Sequence, residues 1–328
     1  MEKSIVMLGE KQVRKILEGK EREIVEMVEE TYLAHDRGMS VLPHSSFLRF
    51  PDDEKNRMIA LPAYLGGERP MAGVKWISSF PENIEKGMER ASAVMILNDM
   101  ESGRVKAILE GSQISATRTA ASAVLAAKYL HSNAGDERLG LIGCGRINSE
   151  ILKFFCAVFK MVRTIYLYDR DPERAEKFSK TQQYEKLKFV CCESVEEVFE
   201  CTSVVSVATT AGIPFIGRLP ENMTILDISL RDFKPEVIKS AHNIVDDADH
   251  VCREKTSIEL TYEQEGSKNF IAGTLAEVIR QKVAARQKGK STIFSPFGLG
   301  ILDLIVADYI YEQAMKNKIG WEIPEFLP

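Results

Sequence analysis

The sequence predicts an α/β protein in which a doubly wound domain is inserted into an α+β domain. Three observations predict it. A glycine turn opens a helix directly after a short apolar strand, at Leu141–Ile147. Strand-like and helix-like segments alternate from about Gly135 onward, the order that builds a parallel sheet with crossover helices. The first third lacks that alternation and carries one helical stretch followed by several strand-like runs.

Taken in chain order, Glu10 to His35 places Ile24, Met27, Val28 and Tyr32 at helical spacing on a charged background, which predicts one helix. Met58–Pro62, Ala72–Ile77 and Ala91–Leu97 read as strands. Asn98–Arg104 is rich in turn formers and joins the last of these to Val105–Leu109, a hairpin signal that predicts an antiparallel sheet. Ala116 to Leu130 is an alanine-dense helix that links the two domains. The strands expected beyond it are Leu139–Ile142, Ile165–Tyr168, Phe189–Cys192, Val204–Ala208, Ile225–Ser229 and Asn243–Val245. A final long helix runs from about Ile301 to Lys316 and is expected to return to the first domain. The expected boundaries are 1–120 plus 301–328 for the α+β domain and 121–300 for the doubly wound one.

The glycine turn is the most specific local feature. Gly143 permits a tight turn after the strand, Gly145 lets backbone approach a pyrophosphate, and the helix from Arg146 offers free N–H groups and the positive end of its dipole. The next strand ends in Asp169, a carboxylate suited to an adenosine ribose. The third glycine of the usual fingerprint is replaced by Asn148, which predicts a slightly displaced helix. Together these features predict a Rossmann dinucleotide site. Asp169 repels a 2′-phosphate and favours NAD, and Arg170 beside it softens that preference. The candidate cofactor-binding residues are Thr119, Gly143, Gly145, Arg146, Ile147, Asp169, Arg170, Thr209 and Ser229.

Composition narrows the function classes. Forty-three Lys and Arg against 48 Asp and Glu give a formal net charge of −5, which argues against a nucleic-acid partner. No apolar run is long enough to span a bilayer, and Met1–Met7 lacks a signal-peptide layout. Six cysteines show no metal-ligand spacing, and no metal role is assigned. Cys191 and Cys192 lie in an apolar strand pattern and are expected to be buried thiols, so the expected compartment is the reducing cytoplasm.

Three cations stand out from their apolar or structured surroundings. Lys75 is central in a strand, Arg118 lies near the start of the alanine-rich helix, and Arg49 sits in Ser46–Phe50. Taken singly, each reads more often as a surface or ion-pair residue than as a ligand-binding one. Jointly they read as a carboxylate clamp, because a charge within an apolar strand requires a partner. Asp232 comes after the fifth strand of the doubly wound domain. It reads either as a loop carboxylate capping the next segment or as a proton acceptor near a nicotinamide. The five histidines have no partner spacing and receive no catalytic role.

Ala72–Trp76, Ser115–Ala121, Leu141–Gly145, the Asp232 loop and Phe297–Asp303 together resemble the ornithine cyclodeaminase/mu-crystallin family, over nearly the whole chain. Within it, Gly87–Asp99 is most similar to dehydrogenases of 2,3-diaminopropionate biosynthesis, which serve siderophore and peptide-antibiotic pathways. The resemblance implies a substrate-binding and dimerisation domain holding an inserted Rossmann domain, and a homodimer. It implies that Arg49, Lys75 and Arg118 bind substrate carboxylates and that Asp232 is the catalytic acid–base, with Lys75 orienting water or carboxylate. The implied reaction is NAD-dependent oxidation of N-(2-amino-2-carboxyethyl)-L-glutamate, a small substrate with several carboxylates, and hydrolysis of the imine to 2,3-diaminopropionate and 2-oxoglutarate. Other readings within the resemblance are an ornithine cyclodeaminase, an alanine dehydrogenase, a ketimine reductase, or a non-catalytic mu-crystallin-like binding protein. Pro296 stands where the family often has serine. No acid is evident in Met58–Pro62, where cyclodeaminases carry one.

Overall fold

The computed structural model describes residues 4–133 and 135–326, so the first three residues of the stretch considered for a leader lie outside it. The chain divides into two compact units, Met1–Arg118 with Leu299–Pro328, and Thr119–Gly298. The second is therefore an insertion in the first.

The first unit opens with β1 (Ile5–Leu8), α1 (Glu10–Leu17) and α2 (Glu21–Asp36). The single helix expected over Glu10–His35 is thus two. The helical spacing continues across the break, but Gly19 turns the chain with a φ of +72°, a conformation that interrupts the backbone ladder whatever the pattern of apolar residues. Next come β2 (Ser40–Val41), β3 (Ser46–Phe50), β4 (Asp53–Leu65), β5 (Met71–Ser79), a 3-10 turn over Pro81–Lys86, β6 (Ala91–Asn98) and β7 (Val105–Glu110). β3 to β7 form an antiparallel meander, and the expected Asn98–Arg104 turn connects β6 to β7. α3 (Gly111–Leu130) carries the chain across the boundary between the units.

The second unit continues with β8 (Arg138–Ile142), α4 (Arg146–Val158), β9 (Thr164–Tyr168), α5 (Pro172–Thr181), β10 (Lys188–Cys191), α6 (Val195–Cys201), β11 (Val204–Val207) and β12 (Thr224–Asp227). α7 (Pro235–Ser240), β13 (His242–Val245), α8 (Ser257–Glu265), β14 (Ile271–Thr274), α9 (Leu275–Ile279) and β15 (Thr292–Ser295) complete it. All eight strands pair in parallel, in the order β10-β9-β8-β11-β12-β15-β13-β14. The order reverses between β8 and β11, the crevice where such sheets bind ligands. β11, β12, β13 and β15 are buried at every position, as a parallel sheet covered on both faces requires. β14 and β15 were not anticipated. Cys191, expected to be buried, is exposed because β10 is the outermost strand; Cys192 is half-buried, and all six thiols are free.

The chain returns to the first unit through α10 (Gly300–Asn317), and β16 (Trp321–Ile323) then pairs with β1. α10 packs on β4, β5, β6 and α2 and buries Ile301, Leu302, Leu304, Val306, Ala307 and Ile310. Gly73 in β5 makes room for it: a Cβ there would lie 3.1 Å from Leu304 Cδ1 and 2.4 Å from the Ile96 carbonyl oxygen.

At the glycine turn, Gly143 has a φ of +90° and donates its N–H to the Tyr168 carbonyl (2.8 Å). A Cβ on it would lie 2.3 Å from the Ala208 carbonyl oxygen, which is backbone and cannot swing aside. Gly145 has a φ of −103°, and a Cβ there would meet nothing within 4 Å. Gly143→Ala is therefore expected to destabilise the protein by roughly 2–4 kcal/mol, from left-handed strain plus overpacking. Gly145→Ala is expected to leave the denaturant midpoint near wild type. Equal midpoints for the two variants in urea unfolding would contradict this account of the turn.

Candidate active site

In the first unit, β5 carries Lys75 towards α10. Lys75 is 2% exposed, and its Nζ donates to Asp303 Oδ2 (2.7 Å) and to Ser115 Oγ (3.3 Å). Arg118, one turn after Ser115 on α3, donates from Nε to the other Asp303 oxygen (3.2 Å). Asp303 is itself fully buried. One carboxylate thus brings together two of the three predicted cations, and it is the partner that a charge inside an apolar strand demands.

The electrostatics come from this geometry. Burial pushes the Lys75 ammonium down to about 8; Asp303 opposes that push and Arg118 adds to it. Burial alone would raise the Asp303 carboxyl, but Arg118 and Lys75 together outweigh it and hold the group below the usual carboxylate range. Two cations against one anion leave this centre with one net positive charge, which suits one ligand carboxylate.

Arg49 is placed elsewhere. It is exposed on β3, with its guanidinium over the Phe47 ring (5.2 Å). It pairs across the strands with Arg57, two strands and four register steps from Lys75.

The second unit holds two groups. At the glycine turn, Cys144 N–H donates to Asp169 Oδ2 (2.8 Å), and Asp171 N–H donates to Asp169 Oδ1 (3.1 Å). Gly145 is the N-cap of α4 and supplies no side-chain cap, which leaves the first N–H groups of that helix unclaimed by a cap. Arg146 and Ile147 occupy its first turn half-buried, and Arg170 is exposed beyond Asp169. Asn148, in the third-glycine position, is fully buried; its Nδ2 donates to the carbonyls of Ile142 (2.9 Å) and Gly143 (2.7 Å), and its Oδ1 accepts from Ser206 (2.7 Å). The amide thereby ties helix, turn and β11 together.

The other group surrounds Asp232. The Thr209 hydroxyl donates to one of its oxygens and the Ser229 hydroxyl to the other. Thr209 N–H donates back to Ser229 Oγ (2.9 Å). Asp232 is fully buried, and burial raises its carboxyl despite those hydroxyls. Asp227, at the end of β12, is buried beside it. Burial and the neighbouring Asp232 push Asp227 well above the carboxylate range, against the Ser295 hydroxyl (3.1 Å) and the Leu230 backbone, which oppose this. Its Oδ1 has no hydrogen-bond partner, a setting tolerable for a protonated acid and not for an anion. Asp232 is the member of the pair that ionises. Thr119 lies half-buried on α3, next to Arg118 in sequence.

Sequence reading missed Asp303 and Asp227. Each carried the same signal, an acid inside an apolar run. A cleft of about 880 Å³ opens near Cys156, Arg163 and Gln182, by the segments that lead into β9 and β10, and no candidate site residue lines it.

Residues 5–318 match the model of the ornithine cyclodeaminase/mu-crystallin family. The chain belongs to that family. It is 34% identical over 309 residues to N-((2S)-2-amino-2-carboxyethyl)-L-glutamate dehydrogenase of Staphylococcus aureus, covering 90% of this chain and 91% of that one. Its fold matches Delta(1)-pyrroline-2-carboxylate reductase of Thermococcus litoralis, solved with NADH and L-proline, at a TM-score of 0.90 and 26% identity, covering 97% of this chain and 100% of that one. It also matches an archaeal alanine dehydrogenase dimer with bound NAD, at a TM-score of 0.86 and 27% identity over 98% of this chain and 100% of that one.

Replacing Asp303 by Asn strands two buried cations. The expected cost is about 3–5 kcal/mol in unfolding free energy. Losing the anion also removes what sustains the Lys75 proton, so Lys75 deprotonates below its present value of about 8. Carboxylate binding that needs charged Lys75 should then fail at lower pH than in wild type. Urea unfolding and the pH profile of KM check both statements; an unmoved alkaline limb would remove Asp303 as the counter-ion.

Proposed function

We propose that this protein is an NAD-dependent dehydrogenase that converts N-(2-amino-2-carboxyethyl)-L-glutamate and water to 2,3-diaminopropionate and 2-oxoglutarate. The observation that carries this substrate is the 34% identity, over 90% of the chain, to the staphylococcal dehydrogenase of that name. The local chemistry supports it. Gly145 leaves open the space that a Cβ would fill at an uncapped helix N-terminus, and a carboxylate stands at the end of the next strand, so the residues present fit a dinucleotide. Gly143, Gly145, Arg146 and Ile147 would seat the pyrophosphate, Asp169 the adenosine ribose with Arg170 beside it, and Thr119, Thr209 and Ser229 the remainder. NAD, when bound, accepts the hydride from the α-carbon of the substrate's secondary amine.

The chain's own residues do the rest. Lys75 and Arg118, biased by Asp303 to one net positive charge, hold an α-carboxylate, and Arg49 serves another. Asp232 takes the proton of the water that hydrolyses the imine. Its burial makes it a stronger base than an exposed carboxylate, and the Thr209 and Ser229 hydroxyls fix its orientation. The free cysteines fit a reducing cytoplasm.

The reading includes a homodimer. α10 covers the face of the first-unit sheet that carries Lys75. On the other face, Trp76 and Val94 pair across β5 and β6, each 39% exposed, and Ala60 and Ile96 extend the apolar surface along the same face. Trp76→Glu is expected to lower the mass seen by light scattering from dimer to monomer; an unchanged mass would remove this face from the interface.

The reaction is tested directly. Purified protein with the substrate and NAD should form NADH, 2,3-diaminopropionate and 2-oxoglutarate in equal amounts, with L-alanine and L-proline as comparison substrates. Asp232→Asn should keep NADH binding and lose about 100- to 10,000-fold in turnover. Preferential oxidation of L-alanine would sink the substrate assignment, and near-normal turnover by the variant would remove Asp232 from the mechanism.

A further inference from the structure

The sheet face that carries Lys75 continues past the start of α10 and ends in two arginines. Register fixes the arrangement. Lys75 pairs with Leu61, and Arg57, four residues along β4, pairs with Ser79 on one side and Arg49 on the other. Paired residues share a face and alternate residues along a strand return to it, so Arg49, Arg57, Ile59, Leu61, Lys75, Ile77 and Ser79 all lie on one face. The contacts of α10 identify that face: Gly300 lies against Leu61 and Ala63, and Asp303 reaches Lys75. α10 begins at that level. Beyond it, Ile59 and Ile77 are half-buried, Arg57 is half-buried and Arg49 is exposed. The result is an apolar strip with a cationic centre at one end and an arginine pair at the other, about 14 Å apart along the strands.

Arg49 and Arg57 face each other across β3 and β4, and guanidinium forks are the side chains best shaped to grip a carboxylate. The charges at the inner end give the arginine pair a purpose. Lys75 and Arg118 share Asp303, so that centre suits one carboxylate, and a substrate with three has acidic groups left over.

We infer that Arg57, paired with Arg49, holds the distal side-chain carboxylate of the substrate and is a specificity-determining residue for amino acids with a second acidic end. The identity of the substrate rests on the reaction proposed above; the arrangement of the arginines does not.

Arg57→Gln should raise KM for N-(2-amino-2-carboxyethyl)-L-glutamate about 10- to 100-fold, the loss of one charge-assisted contact, with kcat within about threefold. With the analogue whose glutamate half is replaced by 2-aminobutyrate, which lacks the distal carboxylate, variant and wild type should have equal KM. Arg57→Lys should recover part of the loss. An unchanged KM for the tricarboxylate, or an equal loss on both compounds, overturns the inference. Calorimetry on the enzyme–NADH complex separates this from a failure of the reaction itself. Wild type should bind 2-oxoglutarate more tightly than 2-oxobutyrate, and Arg57→Gln should abolish the difference even if the tricarboxylate proves not to be the substrate. A wild type that does not distinguish the two keto acids overturns the inference as well.

Discussion

The first unit depends on one buried carboxylate. Asp303 neutralises charge that β5 and α3 bring into the interior, from positions 228 and 185 residues earlier in the chain. Removing a charge from water costs several kcal/mol even after relaxation, and only close opposite charge with satisfied hydrogen bonds offsets it. Both Asp303 oxygens are used, one by each cation, and Ser115 takes up further donors. The arrangement explains why the last helix belongs to the first unit although the whole doubly wound unit intervenes. Without α10 the sheet would present Lys75 to an apolar interior with no anion to meet it. Packing by Leu302, Leu304 and Val306 supplies the energy of that docking, and the ion pairs set its register.

The second unit solves a different local problem. A glycine turn must bring backbone close to neighbouring backbone, and Gly143 does so against Ala208. Such a turn leaves carbonyls pointing inward. Asn148 satisfies two of them and anchors to Ser206, so the helix start is held by three hydrogen bonds from one side chain where the usual fingerprint relies on close packing of a third glycine. The departure from the motif is therefore a change in the means of bracing the turn.

Much of this was legible in the sequence, for identifiable reasons. α3, α10 and the β6–β7 hairpin combine strong periodicity with turn chemistry, and the glycine turn sits between a strand and a helix as its mechanism needs. What failed was information that only three dimensions carry. Apolar alternation marked Cys191 as strand but could not say that the strand is outermost. β15 enters the sheet out of sequence order, between β12 and β13, a place that a reading along the chain does not supply. Helical spacing ran straight through Gly19 because periodicity ignores a positive φ. Lys75 announced that it needed a partner, and Asp303 was visible as an acid in an apolar helix, but nothing in one dimension joins them. Arg57 gave no signal at all, since its meaning lies in strand register.

The buried aspartates show how environment assigns different work to one residue type. Asp303 meets two cations and is held ionised, so it cannot exchange protons near neutrality and serves as a fixed charge. Asp232 accepts from two neutral hydroxyls in a dry setting; burial outweighs them and the neighbouring Arg231, and its affinity for protons rises. Asp227 lies deeper, beside Asp232, with one oxygen unpartnered; two adjacent carboxyls cannot both ionise without solvent or cations, so it keeps its proton. A neutral Asp227 places no negative charge against Asp232, whose proton affinity is then set by burial working against the Ser229 and Thr209 hydroxyls and Arg231. One residue type is thus a fixed anion where two cations meet it and a proton-binding group where burial dominates.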